Sequence, residues 1–435
     1  MLFGKKAAIA GAVSMAVFWP MASGQFGQNA FDNALAELKT SPYVKIEEST
    51  YQRGYLSSQA ENRLLITGEP GELLKQMNIP VEYVMDSRIS HGLFSISTST
   101  TIKPVGEKTK KAIWKPSDTP ASINSETTVS GRTSFTMNMA AISAELENAD
   151  IVTSSLVVEG VVNRDGVAAL TYRMPSIAVT EPAGGTLKVE RLSGKANGKM
   201  EGNFWIGEQS GKAGAIKITS SEGESVTLDR PALVASNRLV SLAEQSESEN
   251  SPEFLNSDTT FTLNKVSVDG AGDILKNYKA LLQFKNLNAA ALSELAAMSE
   301  TLDEAPSESE VLKVQNALNR LVESGMDIVF NQSGVLEEGA AKADISFNVA
   351  EGTENVSENI FALFNGLTGA INIEMPQATA VAFFTPTGYE QLQSMGLVQE
   401  RDQNAVIQAK VDGADLVLEN GERLPLTTLF LALFA

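Results

Sequence analysis

Residues 156–192 read LVVEGVVNRDGVAALTYRMPSIAVTEPAGGTLKVERL, and this stretch decides the fold class. Apolar residues alternate with polar ones in short runs, which is the two-residue period of a β-strand with one buried face. The turns Asn163-Arg164-Asp165-Gly166 and Gly184-Gly185 separate the runs and are typical of hairpins. The stretch therefore predicts an antiparallel meander with one strand ending at Val162, followed by strands at Ala169–Met174, Ile177–Thr180 and Leu187–Leu192, with Pro175 closing the second.

The same alternation extends outward in both directions, and strands follow one another from about residue 127 to residue 240. Two more hairpins are predicted before this region, with Arg53-Gly54 and His91-Gly92 at their turns. The strands predicted outside it are Tyr43–Tyr51, Tyr55–Thr67, Pro80–Ser90, Leu93–Ile102, Thr259–Val268, Asn277–Leu287, Asp327–Gln332, Ala343–Val349, Ala370–Met375, Ala405–Val411 and Asp415–Glu419, with the turn Asn420-Gly421 after the last.

Helical spacing is found in a short stretch from Phe31 to Leu38 and then only in the last third of the chain. Asn288 is suited to cap one helix, whose inner face carries Leu292, Leu295, Ala296 and Leu302. Ser307 and Glu310 form a capping-box pattern that opens a second, ended by Gly325, with Val311, Val314, Leu318, Leu321 and Val322 on one face. Further helices are predicted at Val356–Leu367, Pro376–Phe384 and Thr387–Met395.

The predicted fold class is therefore α+β: a predominantly antiparallel β meander forming a large, curved sheet, with helices concentrated in the C-terminal third. One sheet and two packed sheets both fit this pattern. We expect four regions: an N-terminal segment at 1–24, a β-rich region at 25–242, an acidic linker or long loop at 243–258, and an α+β region at 259–435. The last region ends in a hairpin and a short apolar helix, since residues 424–435 read LPLTTLFLALFA.

Residues 1–24 predict export. Lys5 and Lys6 precede an uncharged apolar run at 7–21, and Ala22-Ser23-Gly24 follows as a small-residue cleavage site. A retained anchor, with both lysines on the cytoplasmic side, fits the same residues. We therefore expect a periplasmic location, with or without an anchor in the inner membrane.

Composition argues against several classes of protein. The net charge is −19, which disfavours nucleic acid as a partner, because phosphate binding needs a basic surface. Cysteine is absent and histidine occurs once, which removes thiolate nucleophiles, cysteine-based zinc sites and His-rich metal centres. Glu47-Glu48, Glu337-Glu338 and the acidic stretch at 244–253 lack the spacing of a calcium loop. We expect neither a metal nor a cofactor, and no catalytic residue stands out.

His91 is the one imidazole in the chain and the first candidate for acid–base chemistry. It lies at a turn beside Ser90 and Gly92, without a nucleophile-elbow motif, so a hydrogen bond at a strand end is the favoured role. Arg53 and Gly54, flanked by Tyr51 and Tyr55, could form a recognition surface. A hairpin in which Gly54 adopts a positive φ and the tyrosines pack across strands is favoured instead.

Several strings resemble the YdgA-like family of bacterial envelope proteins. They are Tyr51-Gln52-Arg53-Gly54-Tyr55-Leu56-Ser57-Ser58, His91-Gly92-Leu93-Phe94, and the C-terminal hairpin with its Asn420-Gly421 turn. The resemblance implies a protein that is periplasmic or anchored in the inner membrane, and it implies no activity. The motif residues Tyr51, Arg53, Gly54, Tyr55, Ser57, His91, Gly92, Phe94, Asn420 and Gly421 are expected to have structural roles.

Three functions fit the sequence. The first is a non-enzymatic scaffold or accessory protein of the envelope, with another envelope protein as its partner. The second is a binder or carrier of a lipid or other apolar ligand along a curved β-sheet. The third is an envelope hydrolase. The N-terminal segment would contact the membrane in each case, and the sequence does not determine an oligomeric state.

Overall fold

The computed structural model describes residues 43–427, apart from 55–56, 77–78, 93–94, 106–112, 115–118, 146–148, 202–203, 242–252, 300–306, 355 and 360. Several predictions fall outside these residues: the N-terminal segment, the helix at 31–38, Leu302, and the terminal residues 428–435. Most of the predicted linker at 243–258 also lies outside, and its last six residues begin a strand. Within the described residues, every helix is too short or too polar to span a bilayer.

The described residues form 24 strands, and every pair with a defined register is antiparallel. The strands are β1 Val44–Arg53, β2 Ser57–Ile66, β3 Glu82–His91, β4 Ser95–Pro104, β5 Ala121–Thr128, β6 Thr133–Met139, β7 Ser143–Glu145, β8 Asp150–Thr153, β9 Leu156–Val162, β10 Ala168–Thr180, β11 Thr186–Glu201, β12 Phe204–Lys212, β13 Ala215–Thr219, β14 Ser225–Asp229, β15 Ala232–Ser241, β16 Glu253–Val268, β17 Gly272–Asn288, β18 Met326–Leu336, β19 Ala340–Val349, β20 Leu367–Pro376, β21 Gln399–Arg401, β22 Asn404–Asp412, β23 Asp415–Leu418 and β24 Arg423–Pro425. The predicted antiparallel β architecture is confirmed.

The helices in the described residues are α1 Gly68–Gln76, α2 Ala289–Ser299, α3 Glu308–Glu323, α4 Ala362–Asn365, α5 Gln377–Phe384 and α6 Pro386–Ser394. Five of them lie in the last third of the chain, as predicted, whereas α1 lies near the start. The sequence Gly68-Glu69-Pro70-Gly71 reads as a loop, but proline is tolerated in the first turn of a helix. The predicted concentration of helices is therefore only partly confirmed.

Two helix caps follow the sequence prediction closely. The Asn288 side chain accepts a hydrogen bond from the backbone N–H of Ala291 at 3.0 Å. Ser307 and Glu310 form the complete reciprocal capping box of α3. The inner face predicted for α3 is only partly correct, because Val322 is buried while Val311 and Leu318 are exposed.

The helix predicted at Val356–Leu367 is wrong over most of its length. Only α4 is helical there, and strand β20 begins at Leu367. Side chains bind the backbone before α4: Asn319 accepts from the N–H of Ser357, and Asn359 accepts from the N–H of Phe361. The Asn359 bond is local and the Asn319 bond comes from α3, and both give these N–H groups a partner other than a helical carbonyl, which accounts for the difference.

The chain divides into two compact units. Unit 1 holds residues up to Met200 together with Gln209–Thr227, and unit 2 holds Glu201–Glu208 together with residues from Leu228 onward. In unit 1 the strand ladder runs β1–β2–β3–β4–β5–β6–β9–β10–β11–β13. In unit 2 it runs β15–β16–β17–β18–β19–β20–β22–β23–β24.

Unit 2 has one apolar face and one polar face. Directly opposed residues form an apolar row across eight strands, with Thr259 as its one polar member: Ala235, Thr259, Leu282, Phe330, Ile345, Ile371, Ala409 and Leu418. The next row, one residue along, carries Thr260, Leu281, Asn331, Asp344, Asn372 and Gln408. Seven strand spacings of about 4.8 Å make the first row roughly 34 Å long.

Helices cover the apolar face of unit 2 at two places. Helices α2 and α3 pack on β16 and β17, where Leu292 and Leu321 contact the buried cluster of Leu255, Leu287 and Ala289. Helices α5 and α6 contribute to a larger core over β20, β22 and β23, in which Ile371, Leu392, Leu397 and Leu416 are at most 2 % exposed. This core is the largest that the described residues form in unit 2.

The strand predicted to end at Pro175 does not end there. β10 continues to Thr180, and the register with β11 passes from the pair Met174–Leu192 to the pair Ser176–Glu190. Pro175 and Arg191 lie between these pairs and do not pair with each other, so the missing N–H of Pro175 costs the ladder nothing. Arg191 has a left-handed φ of 51°.

Left-handed residues reset the side-chain alternation within the long strands. Three described residues of these strands have a φ between 51° and 60°: Arg191, Asn277 and Asn286. Each directly precedes an apolar residue, and that residue lies three positions, rather than two, after the preceding apolar residue of the same strand. The apolar pairs are Val189 and Leu192, Leu275 and Tyr278, and Phe284 and Leu287, and both residues between the members of each pair are exposed. The alternation therefore resumes one residue late, as at a β-bulge, and the apolar residues stay on one face.

We predict that Asn277→Val destabilises unit 2 by about 1–2 kcal/mol, because a β-branched residue is disfavoured in the left-handed region. Asn277→Gly should stay within about 0.5 kcal/mol of the parent, because glycine adopts that φ without strain. Urea unfolding followed by circular dichroism measures both. Equal stability of the two variants would contradict the role given to Asn277.

Candidate functional site

Two hairpin tips in unit 1 share one pattern. The sequences are Arg53-Gly54-Tyr55-Leu56-Ser57 and His91-Gly92-Leu93-Phe94-Ser95. A Cβ on Gly54 or Gly92 would come closer than 3.0 Å to the carbonyl oxygen of the serine three residues later. The expectation of a positive φ at Gly54 is wrong, because these glycines are needed for close backbone approach instead.

The other motif residues are dispersed along unit 1 and unit 2. Tyr51 is half-buried against Ala60, Ile89 and Ile96, whereas Ser57 is exposed at the start of β2. Arg53 ends β1, and Tyr55 and Phe94 lie outside the described residues. The Asn420-Gly421 turn forms as predicted, with Gly421 at φ 83° and the Asn420 side chain accepting from the N–H of Glu422 at 2.9 Å.

His91 pairs with a serine that the sequence did not single out. Its Nε2 lies 2.9 Å from Oγ of Ser58, which is 2 % exposed, and its Nδ1 is buried without a partner in the described part of the chain. A serine and a histidine at this distance resemble a nucleophile and its base. The geometry at Ser58 has to decide whether they can act as one.

The setting of Ser58 does not assemble a hydrolytic centre. Ser58 lies within β2 and is paired with Arg53 of β1 and Ile89 of β3, so its surrounding backbone belongs to two ladders. An oxyanion hole requires donors that are free to meet the substrate. No residue of the described chain orients His91 through Nδ1, as a triad would require.

Ser58 belongs to a series of small polar residues on one face of β1–β6. Ser87 and Thr100 lie opposite each other with their hydroxyls 2.8 Å apart, and Thr127 and Thr133 do the same at 2.9 Å. Ser87, Thr98, Thr100 and Thr133 are buried among Ile89, Ile123 and Phe135. These hydroxyls satisfy one another across strands, which indicates packing rather than ligand binding.

From β6 to β11 the same face of unit 1 carries aromatic side chains that lie over glycines on the neighbouring strands. Gly160 stands between Phe135 and Leu170 on neighbouring strands, and a Cβ there would lie 2.8 Å and 2.6 Å from their atoms. Tyr172 lies opposite Gly194 and reaches toward Gly211. Burial raises the pKa of the Tyr172 phenol, in keeping with a ring laid across the sheet.

In unit 2 the apolar face between the two helix-covered regions is the best candidate for a binding surface. Phe261, Leu282 and Phe330 are half-buried there, so part of each side chain remains accessible. Between the two helix-covered regions this face of β16–β18 carries Thr259, Phe261, Leu263, Tyr278, Ala280, Leu282, Phe330 and Gln332, and none of them is charged. We call this set the central apolar strip.

Three further features of the described residues do not define a site: a cavity in unit 2, the arrangement of metal-binding side chains, and two pairs of glutamates. An open cavity of about 460 Å³ near Phe361 and Phe364 is bounded by Leu367 and by residues 412–414. Among the residues the structure describes, no three histidine, aspartate or glutamate side chains are placed to hold a metal ion. Glu47 and Glu48 are exposed on β1, and Glu337 and Glu338 are exposed in the turn after β18.

We predict that Gly160→Ala destabilises unit 1 by about 1–3 kcal/mol, because the added methyl group overlaps Phe135 and Leu170. Adding Phe135→Leu should make room and give a smaller loss than the two single changes combined. Ala169→Val, on an exposed position of β10, is the control and should remain within about 0.5 kcal/mol. Additive losses in thermal unfolding would show that the glycine does not accommodate the ring.

Comparison with known proteins supports the bacterial origin and the lack of an assigned activity implied by the sequence strings, while the YdgA-like name remains a prediction. No curated protein and no solved structure matches the chain. A family described as a bacterial protein of unknown function, DUF945, matches residues 5–427. The chain therefore belongs to the DUF945 family of bacterial proteins.

Proposed function

We propose that this chain is an exported envelope protein that binds acyl chains of lipids on the central apolar strip of unit 2. The observation that carries the proposal is the uncharged apolar face of β16–β18, where Phe261, Leu282 and Phe330 remain half-buried between the two helix-covered regions. Accessible apolar patches mark sites of interaction, and sites for apolar ligands are lined mainly by apolar side chains with a few polar groups. The sequence alone placed a scaffold first, and the geometry of the strip favours the carrier instead.

The proposed location comes from the sequence. Lys5 and Lys6, the apolar run at 7–21 and the small residues at 22–24 support export to the periplasm, with or without an inner-membrane anchor. A lipid carrier requires access to a membrane surface, which either arrangement provides. The acidic surface is compatible with this, because the proposed ligand binds through apolar contact rather than through charge.

The strip is suited to a flexible chain rather than a bulky ring system. Ala280 lies between Phe261 and Gln332 in one row, and Leu282 lies between Thr259 and Phe330 in the next. Small side chains therefore lie beside large ones on the strip, which crosses three strands about 4.8 Å apart and so measures roughly 10 Å across them. An acyl chain can lie over this uneven surface and bury methylene groups worth about 0.8 kcal/mol each.

We predict that Phe330→Gln weakens binding of a fluorescent acyl probe at least about tenfold, which corresponds to about 1.4 kcal/mol of lost apolar contact. Val329→Gln is the matched control, because Val329 lies on the opposite face in the row of Asp258, Gln283 and Ser346. It should bind as the parent does. Lipid that co-purifies with the parent should be visible by native mass spectrometry.

Two results would contradict the proposal. One is a parent protein that neither carries lipid nor binds the probe. The other is an equal loss of binding in Phe330→Gln and Val329→Gln, which would remove the connection to the apolar face. Circular dichroism of all three proteins must first show the same fold.

A scaffold remains the second candidate because of one feature of α3. Val311, Leu312 and Leu318 are 41 %, 56 % and 38 % exposed on this helix, and Val311 and Leu318, seven positions apart, share a face in the way that helical anchors for protein partners do. We predict that crosslinking in intact envelopes captures one stoichiometric protein with the parent chain. Val311→Glu combined with Leu318→Glu should abolish this capture if the scaffold function is correct, and unchanged capture would exclude this face of the helix.

A further inference from the structure

A pair of polar side chains interrupts the central apolar strip. The hydroxyl of Tyr278 donates a hydrogen bond to Oε1 of Gln332 at 3.3 Å. Gln332 stands in a row between Ala280 and Ala343, and Tyr278 stands opposite Leu263. Both side chains are half-buried, so they are partly accessible from the face that carries the proposed ligand.

The position of Tyr278 is fixed by its neighbours. Its ring meets the ring of Phe261 edge to face, with centroids 6.1 Å apart and an interplanar angle of 61°. The ring also lies beside Gly334, where a Cβ would be 3.4 Å from Cδ2 of Tyr278. The left-handed turn at Asn277 keeps Tyr278 on the apolar face. The tyrosine is therefore a rigid support for the amide of Gln332.

The hydrogen bond determines which end of the amide is available. Because Oε1 of Gln332 accepts from Tyr278, the Nε2 group is left to donate elsewhere. Within the described residues Nε2 makes no hydrogen bond, and it is not among the buried polar atoms that lack a partner. It is a neutral donor that is accessible on an apolar surface.

The charges nearby restrict the chemistry of a ligand at this donor. Lys276 and Lys279 are exposed on β17, and they alternate with the apolar-face residues Leu275, Tyr278 and Ala280. Lys265 and Lys276 are both engaged by Asp273, at 3.0 Å and 3.6 Å. Lys279 lies between Tyr278 and Ala280 and so belongs to the opposite face. A carboxylate or phosphate on the strip would therefore have no cation on its own face, which is costly, whereas an ester carbonyl would need only a neutral donor.

We propose that the Nε2 group of Gln332, oriented by Tyr278, selects acyl chains that carry an ester. This inference rests on the proposed function, since it specifies the ligand of the same surface. Gln332 is a specificity residue that contacts the ligand, and Tyr278 is a positioning residue that acts through Gln332.

The experiment compares two probes on the purified chain: a fluorescent diacylglycerol with ester links and its dialkyl-ether analogue, which lacks the carbonyls. The parent should bind the ester about two- to tenfold more tightly, the range of one neutral hydrogen bond. Gln332→Met should bind both probes equally while retaining its affinity for the ether. Tyr278→Phe keeps the ring and should lose part of the ester preference.

Gln283→Met is the matched control, because Gln283 lies on the polar face and donates to Asp258 at 2.7 Å. It should leave the ester preference unchanged, and circular dichroism should show that every variant is folded. If the parent binds ester and ether equally, or if Gln332→Met keeps the preference, the inference is overturned while acyl binding stands. If the parent binds neither probe, the proposed function itself fails.

Discussion

The structure depends on keeping apolar side chains on one face of very long strands. β11, β16 and β17 have 16 or 17 residues, and a single slip in the two-residue alternation would send every later apolar side chain to the other face. Where the apolar residues of the sequence shift by one position, a left-handed residue at Arg191, Asn277 or Asn286 returns the later apolar side chains to the same face. The cores, the aromatic contacts and the central apolar strip all require that one face stays continuous.

At two of these positions, the side-chain alternation shifts by one residue in both of the paired strands. Pro175 faces Arg191, and Asn264 faces Asn277. The two residues of each facing pair are not counted as partners, but the strand register is the same before and after them. Leu263 and Val266 on β16 then match Tyr278 and Leu275 on β17. A coordinated change of this kind keeps neighbouring strands aligned, whereas a change in one strand alone would shift the register, as it does near Asn286.

Much of the fold follows from local sequence. Turn residues such as Asn163–Gly166 and Asn420-Gly421, and caps such as Ser307 with Glu310, act over a few residues and could be predicted. Pro175 was interpreted as a strand end because its compensation comes from Arg191 on another strand. Met174 and Ile177 are three positions apart, and this spacing indicates that the side-chain alternation shifts by one residue within a continuing strand. Helix α1 was missed because its first turn contains two glycines and a proline.

The candidate site was less predictable, because it is made by register rather than by motif. Gln332, Tyr278 and Phe261 are far apart in sequence and meet only through the pairing of β16, β17 and β18. His91 attracted attention as the one histidine, yet its partner Ser58 became visible only when β2 and β3 were aligned. The motif strings around Gly54 and Gly92 explain hairpin geometry, and the proposed binding surface lies in the other unit.

The most direct test of the account is photocrosslinking with an acyl chain that carries a diazirine, followed by mass-spectrometric mapping of the labelled residues. The account predicts labels on the apolar face of β16–β18, at Phe261, Leu282 and Phe330. Labels on the opposite face, at Thr260, Leu281 or Asn331, or no label at all on the folded protein, would contradict it.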